Sequence, residues 1–291
     1  NKMAECLGIY IENNLIKYAK VSKEHDALKV ESFGIKIYEQ LEEAINQIVR
    51  ETSSERTPIS INLSDEIYNY FEIFAILSKK DIERTIKTEF DFLCEERGLK
   101  QNTIESRNFL IPSKENSEKI RAVHISTNRV EIAKKVQQFQ GKQLRNIGPL
   151  PIALANLVDI DPNENVAIVN IEEKTTVTLI IDGKVYKVQV LDDGMKDIFD
   201  KISAKENSVA RSYEICKNTT IYTMDSQPTE ISENLEDIMP TLYNVVEKTK
   251  EVLKKSPSEI AKVYITGSGA VINNIDLYFQ DSLSKKCQIL R

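Results

Sequence analysis

Asn170-Ile171-Glu172-Glu173-Lys174-Thr175-Thr176-Val177-Thr178 repeats a pattern already met near the start of the chain, at Leu7-Gly8-Ile9-Tyr10-Ile11-Glu12-Asn13-Asn14-Leu15-Ile16-Lys17. Each stretch is an apolar run, a short polar tip and a second apolar or β-branched run, which is how two antiparallel strands joined by a tight turn are written. Each also opens a three-strand meander. The first runs through Leu7–Ile11, Leu15–Val21 and Leu28–Ile35, with Asn13-Asn14 at its first turn. The second runs through Val166–Ile171, Thr175–Ile181 and Lys184–Val190, with Asp182-Gly183 at its last turn. Two such meanders, one in each half of a 291-residue chain, predict two related lobes.

Between them the periodicity changes. An amphipathic helix over about Glu39–Glu51 and a strand at Ile59–Leu63 complete the first meander's layer. An aromatic strand (Tyr68, Tyr70, Phe71, Ile73, Phe74) then leads into a helix at Lys80–Arg97, with Ile82, Ile86, Phe90 and Leu93 on one face. Ser78 suits its N-cap and Gly98 its C-terminal turn. Strands at Ser106–Ile111 and Ile120–Ser126 and a helix at Arg129–Gln140 follow. The domains expected are a first lobe of residues 1–78 plus 146–161, an inserted α+β subdomain of 79–145, and a second lobe of 162–291 introduced by the turn Asp161-Pro162-Asn163. In the second lobe, helices at Gly194–Ser203 and Pro240–Lys254 fall in a helical part, 196–261. The strand Ala261–Thr266, the turn Gly267-Ser268-Gly269-Ala270, a helix Val271–Leu283 and a strand Gln288–Leu290 end the sequence, and the native chain is expected to continue past Arg291.

Composition excludes several classes. Hydrophobic residues make up 41% and charged residues 29%, as in an ordinary globular protein. No apolar run approaches the roughly 20 residues that span a bilayer. The net charge is −6 and the basic residues are interspersed with acidic ones, so nucleic acid is not expected as a partner. Cys6, Cys94, Cys216 and Cys287 are widely separated and read as reduced thiols. His25 and His124 lie far apart, and no metal site is expected.

Two hairpins and a late glycine turn before a helix are also the layout of the actin, Hsp70 and sugar-kinase superfamily. The whole chain resembles in particular the PilM family of type IV pilus assembly proteins. Leu7–Lys17 looks like the family's first phosphate hairpin, Asn170–Thr178 like its second, and Val263-Tyr264-Ile265-Thr266-Gly267-Ser268-Gly269-Ala270 like its adenosine turn. Asn146–Val158 is similar to its segment between lobes, and the insertion sits where this family and its relative FtsA carry an extra subdomain. The resemblance implies an α/β, two-lobed actin-like (ribonuclease H-like) fold. It places a nucleotide pocket at Tyr10, Glu12, Asn13, Asn14, Lys17, Asn170, Glu172, Thr175, Gly194, Gly267, Ser268 and Gly269.

The departures from the family bear on chemistry. An acid-then-glycine pair belongs in each hairpin, and this chain has Tyr10 and Glu12 in one, Asn170 and Glu172 in the other. A carboxylate about 4 Å from a phosphate would oppose it by on the order of 4 kcal/mol per unit charge at an effective dielectric near 20. The expectation is therefore a degenerate site, not an enzyme, with no cofactor or at most weakly held ATP with magnesium. The resemblance implies a cytoplasmic scaffold held at the inner face of the membrane by a partner, the tail of a PilN-like membrane protein, with self-association also open. That tail is expected in a groove between the first lobe and the insertion, at Tyr70, Phe71, Ile73, Phe74, Ile86, Phe90, Leu93, Pro149 and Leu150. The alternatives are an ATP-binding, FtsA-like filament former, a small kinase of the same superfamily, and the scaffold of a type II secretion machine.

Overall fold

The computed structural model describes residues 4–25, 27–158, 160–161, 163–222 and 234–290. Pro162 of the expected interlobe turn and Arg291 lie outside them. The chain forms two compact units, divided between Leu150 and Pro151.

The first unit opens with β1 (Ala4–Glu12), β2 (Leu15–Glu24), β3 (Ala27–Ile37), α1 (Leu41–Glu51) and β4 (Ile59–Asn62). With β8 (Leu144–Gly148) these strands make one sheet in the order β3-β2-β1-β4-β8. The meander is antiparallel, whereas β4 runs parallel to β1 and β8 parallel to β4. Leu7, Ile9 and Ile11 of β1 point to one face, where Ala44, Ile45, Ile48 and Val49 of α1 cover them. That is the period of 2 meeting the period of 3.6.

Between β4 and β8 lie β5 (Ile67–Phe74), α2 (Lys79–Glu96), β6 (Ile104–Pro112), β7 (Lys119–Asn128) and α3 (Arg129–Gln138). The strands form a separate sheet, β5-β7-β6, on which α2 lays Ile82 and Ile86. Ser78 caps α2 by accepting the amide hydrogen of Asp81, as its sequence predicts. The insertion therefore begins at Ile67 and not at 79: the aromatic strand pairs along its whole length with β7 and belongs to the inserted sheet. The expected boundary followed the helix signal, while the strand before the helix is what carries the pairing.

The second unit holds β9 (Val166–Ile171), β10 (Thr175–Ile181), β11 (Lys184–Leu191), α5 (Met195–Glu206), α6 (Val209–Asn218), α7 (Leu235–Lys254), β12 (Lys262–Thr266), α8 (Ile275–Leu283) and β13 (Lys286–Ile289); α4 (Leu150–Ala155) begins at the boundary. Its sheet order, β11-β10-β9-β12-β13, with β12 parallel to both β9 and β13, reproduces that of the first unit strand for strand. Asp182 (φ 52°) and Gly183 (φ 73°) form the two-residue turn the sequence predicts, both left-handed as a hairpin of this twist requires.

Three elements differ from expectation. α7 starts five residues before Pro240 and carries it internally, because buried Ile238 and the Lys205–Asp237 ion pair (2.7 Å) anchor its first turn. α6 carries too few apolar residues for its period to stand out, and it packs only Ser212, Ile215 and Cys216 inward. The helix expected from Val271 is instead a short 3-10 turn at Ser268–Val271, and α8 begins only after Asn274, whose φ of 67° interrupts the helix.

Candidate functional site

In the first hairpin Asn13 and Asn14 form a two-residue turn, with Asn14 at φ 62° and Glu12 opposite Leu15. Tyr10 lies opposite Lys17, whose ammonium sits 5.9 Å from the centre of the Tyr10 ring. The Tyr10 hydroxyl donates to a Glu12 carboxylate oxygen, and the Tyr38 hydroxyl donates to the Glu12 carbonyl. Buried Asn62, at the end of β4, accepts from the Ile11 amide (2.8 Å) and donates back to the Ile11 carbonyl (3.1 Å). The tip is thus braced by Tyr10, Tyr38 and Asn62, and Glu12 is turned toward Tyr10.

The second hairpin is more closed. Glu172 is 3% exposed, and its carboxylate accepts the amide hydrogen of Ser268 in the glycine turn. Its carbonyl accepts from the Met195 amide (2.6 Å) and the Glu173 carbonyl from the Lys196 amide (3.3 Å), so the hairpin tip caps α5. The glycines fit this closure. A Cβ on Gly267, which has φ 90°, would stand 2.6 Å from Asn170 Oδ1 and from the Ile171 carbonyl. One on Gly269 would stand 2.7 Å from the Ile171 side chain, and one on Gly194 2.6 Å from the Glu172 carbonyl. All three are glycine because the chain itself approaches them.

Beside this junction the Thr175 amide bonds the Asp193 carbonyl (3.1 Å), and Lys248 of α7 pairs with the Asp193 carboxylate, holding that acid below its ordinary value. The hydroxyls of Thr175 (0% exposed) and Ser268 (1%) have no hydrogen-bond partner among the described residues.

The amides of Ser268, Met195 and Lys196 are held by carboxylate and carbonyl oxygens of Glu172 and Glu173. Among the described residues, no group of three His, Cys, Asp or Glu side chains is placed to hold a metal ion.

The expected partner groove resolves into two kinds of residue. Phe71, Ile73 and Ile86 are buried between α2 and the inserted sheet and are core, with Phe90 and Leu93 partly buried against them. An aromatic strand is open to both readings, core and docking edge, until its partner strand is known. That core cluster encloses His124, whose ring lies 4.3 Å from that of Phe90 and 5.6 Å from that of Phe71, and burial pushes its pKa down to about 4. Tyr70 is half-buried under the Arg121 guanidinium (4.2 Å), Phe74 is 52% exposed, and Pro149 and Leu150 are half-buried.

An exposed apolar row lies elsewhere, on β3. Leu28, Val30, Phe33, Ile35 and Ile37 project from the face opposite α1, in register with Lys23, Val21, Ala19, Lys17 and Leu15 of β2, and Leu28 and Phe33 are 71% and 78% exposed. β3 is an edge strand, so its outer backbone groups face no neighbouring strand. The apolar alternation was readable in the sequence, but only the sheet order reveals that the row is uncovered.

This pair of like-ordered sheets, with their hairpins and glycine turn, is the actin-like ATPase fold. Within that class the chain is similar to a protein of the PilM–PilN type IV pilus biogenesis complex, with a TM-score of 0.77 at 15% identity over 98% of this chain and 88% of that one. It is also similar to the ethanolamine utilization protein EutJ from Carboxydothermus hydrogenoformans, with a TM-score of 0.55 at 14% identity over 98% and 84% of the two chains. The activator of 2-hydroxyisocaproyl-CoA dehydratase from Clostridium difficile, solved with bound ADPNP, gives 0.51 at 10% identity over 98% and 88%. No protein-family model and no curated protein matches the chain.

Proposed function

We propose that this chain is a non-hydrolysing scaffold of a type IV pilus machine, which holds an extended tail of a PilN-like membrane protein at the cytoplasmic side. The observation that carries the reading is the uncovered β3 edge, where five exposed apolar side chains lie along a strand whose outer backbone groups are unpaired within the sheet. An extended peptide meets both needs at once, adding a strand through its backbone and seating alternate apolar side chains along the row. Likeness to a chain of the PilM–PilN complex supports the class of partner. Among the described residues no helix is long and apolar enough to cross a membrane, in keeping with attachment through a partner. The carboxylate-filled second hairpin supports a role without nucleotide turnover.

A fluorescent peptide of a PilN-like cytoplasmic tail, titrated against the full chain, tests this. Saturable binding that weakens at least about tenfold in Phe33→Asp, a loss of roughly 1.4 kcal/mol, is the expected result. A wild-type chain with no saturable binding at high micromolar concentration sinks the partner assignment. Equal binding by Phe33→Asp sinks the β3 surface.

A further inference from the structure

We propose that Glu172 is a built-in anion: its carboxylate occupies the Ser268 amide and keeps external polyphosphate out of the junction between the second hairpin and the glycine turn. The inference rests on reading Asn170–Thr178 as a degenerate phosphate hairpin, and it names the group that makes it so. Three observations converge on it. Glu172 is 3% exposed, yet it is an acid at the tip of a hairpin, where a side chain would ordinarily reach water. A carboxylate is buried at tolerable energy only when hydrogen-bond donors meet it, and the Ser268 amide is such a donor. The surrounding backbone is shaped around the contact, since Gly267 leaves room for the carboxylate where a Cβ would stand 2.7 Å from its oxygen.

The same residue closes the neighbouring donors. Its carbonyl takes the Met195 amide, so one residue ties the hairpin to both the glycine turn and the start of α5. An external phosphate could reach the Ser268 amide only after the side chain had left, so its apparent affinity is reduced to the fraction of time the carboxylate is away. The buried hydroxyl of Ser268 has no partner among the described residues and belongs to the residue whose amide Glu172 holds.

The test compares the full-length wild type with Glu172→Ala, Glu172→Gly and Glu172→Gln. Hydrogen exchange is read by mass spectrometry over the peptide containing Ser268, and calorimetry uses inorganic pyrophosphate and magnesium ATP as probes. Wild type is expected to protect the Ser268 amide and to give no saturable heat. Glu172→Ala should exchange that amide at least about tenfold faster and take up pyrophosphate saturably; Glu172→Gly makes the same comparison if the alanine variant does not fold. Glu172→Gln, which keeps an acceptor oxygen, should stay protected and silent. Unchanged exchange in the alanine and glycine variants overturns the inference and leaves the degenerate-site reading standing. Fast exchange without pyrophosphate uptake also overturns it, because the contact would then be a brace alone. Saturable binding of either probe by wild type overturns the degenerate-site reading as well.

Discussion

Gly267 shows how a single residue serves a purpose its sequence motif does not announce. A glycine turn after a strand reads as a place for a ligand to approach backbone, and the approaching group is instead the end of β9. Gly267→Ala meets two penalties, a φ of 90° that disfavours any Cβ and contacts of 2.6 Å with Asn170 Oδ1 and the Ile171 carbonyl. Chemical denaturation should show a loss of at least about 1–3 kcal/mol. His124 gives the second prediction at this scale. Packed between two phenyl rings, it folds as the neutral imidazole, with its pKa pushed down to about 4 from 6.5. The unfolded chain takes up the proton first as pH falls, so the contribution is fully present above pH 6.5 and declines from there toward pH 4. At pH 5 the loss relative to pH 7.5 should be about 2 kcal/mol, and His124→Leu should remove that part of the slope.

At the level of elements, periodicity made most of the architecture legible and partnership did not. The two meanders, both hairpin turns and the buried stripe of α2 follow from spacing that any local reading detects. Which strand pairs with which is set by contacts far apart in sequence, and that is why the aromatic strand passed for a groove wall. Its apolar row is dense because Phe71 and Ile73 face Ile82 and Ile86 of α2. Ile86 and Phe33 separate the two cases. Ile86 is 4% exposed in the α2 cluster, so Ile86→Ala should destabilise the protein by about 2–5 kcal/mol in a denaturant titration. Phe33, at 78% exposure, has little packing to lose, so Phe33→Asp should change stability by no more than about 0.5 kcal/mol while weakening peptide capture. The hairpin tips were only half legible: the sequence located Glu12 and Glu172, but that each acid bonds within its own unit depends on Tyr10 and Ser268 being folded against them.

For the whole molecule, the repeated sheet order means that two cores of similar plan must be filled by unrelated residues. Ala167, Val169, Leu242 and Val245 belong to a cluster lying wholly in the second unit, and Leu7, Ile9, Ile45 and Ile48 to one lying wholly in the first. Each unit has about the length at which a domain sustains its own core, and chains of this kind depart from a single cooperative transition. Calorimetry should therefore resolve two transitions. Leu242, 0% exposed in the second cluster, should cost about 2–5 kcal/mol when replaced by alanine and lower one transition, at about 2–4 °C per kcal/mol for units of this size. Ile86→Ala should lower the other and leave the first in place. If the site is degenerate as proposed, magnesium ATP should move neither, since a ligand raises a transition only by binding the folded form. A rise in the transition that Leu242→Ala lowers, growing with ATP concentration, would show that the second hairpin opens for nucleotide.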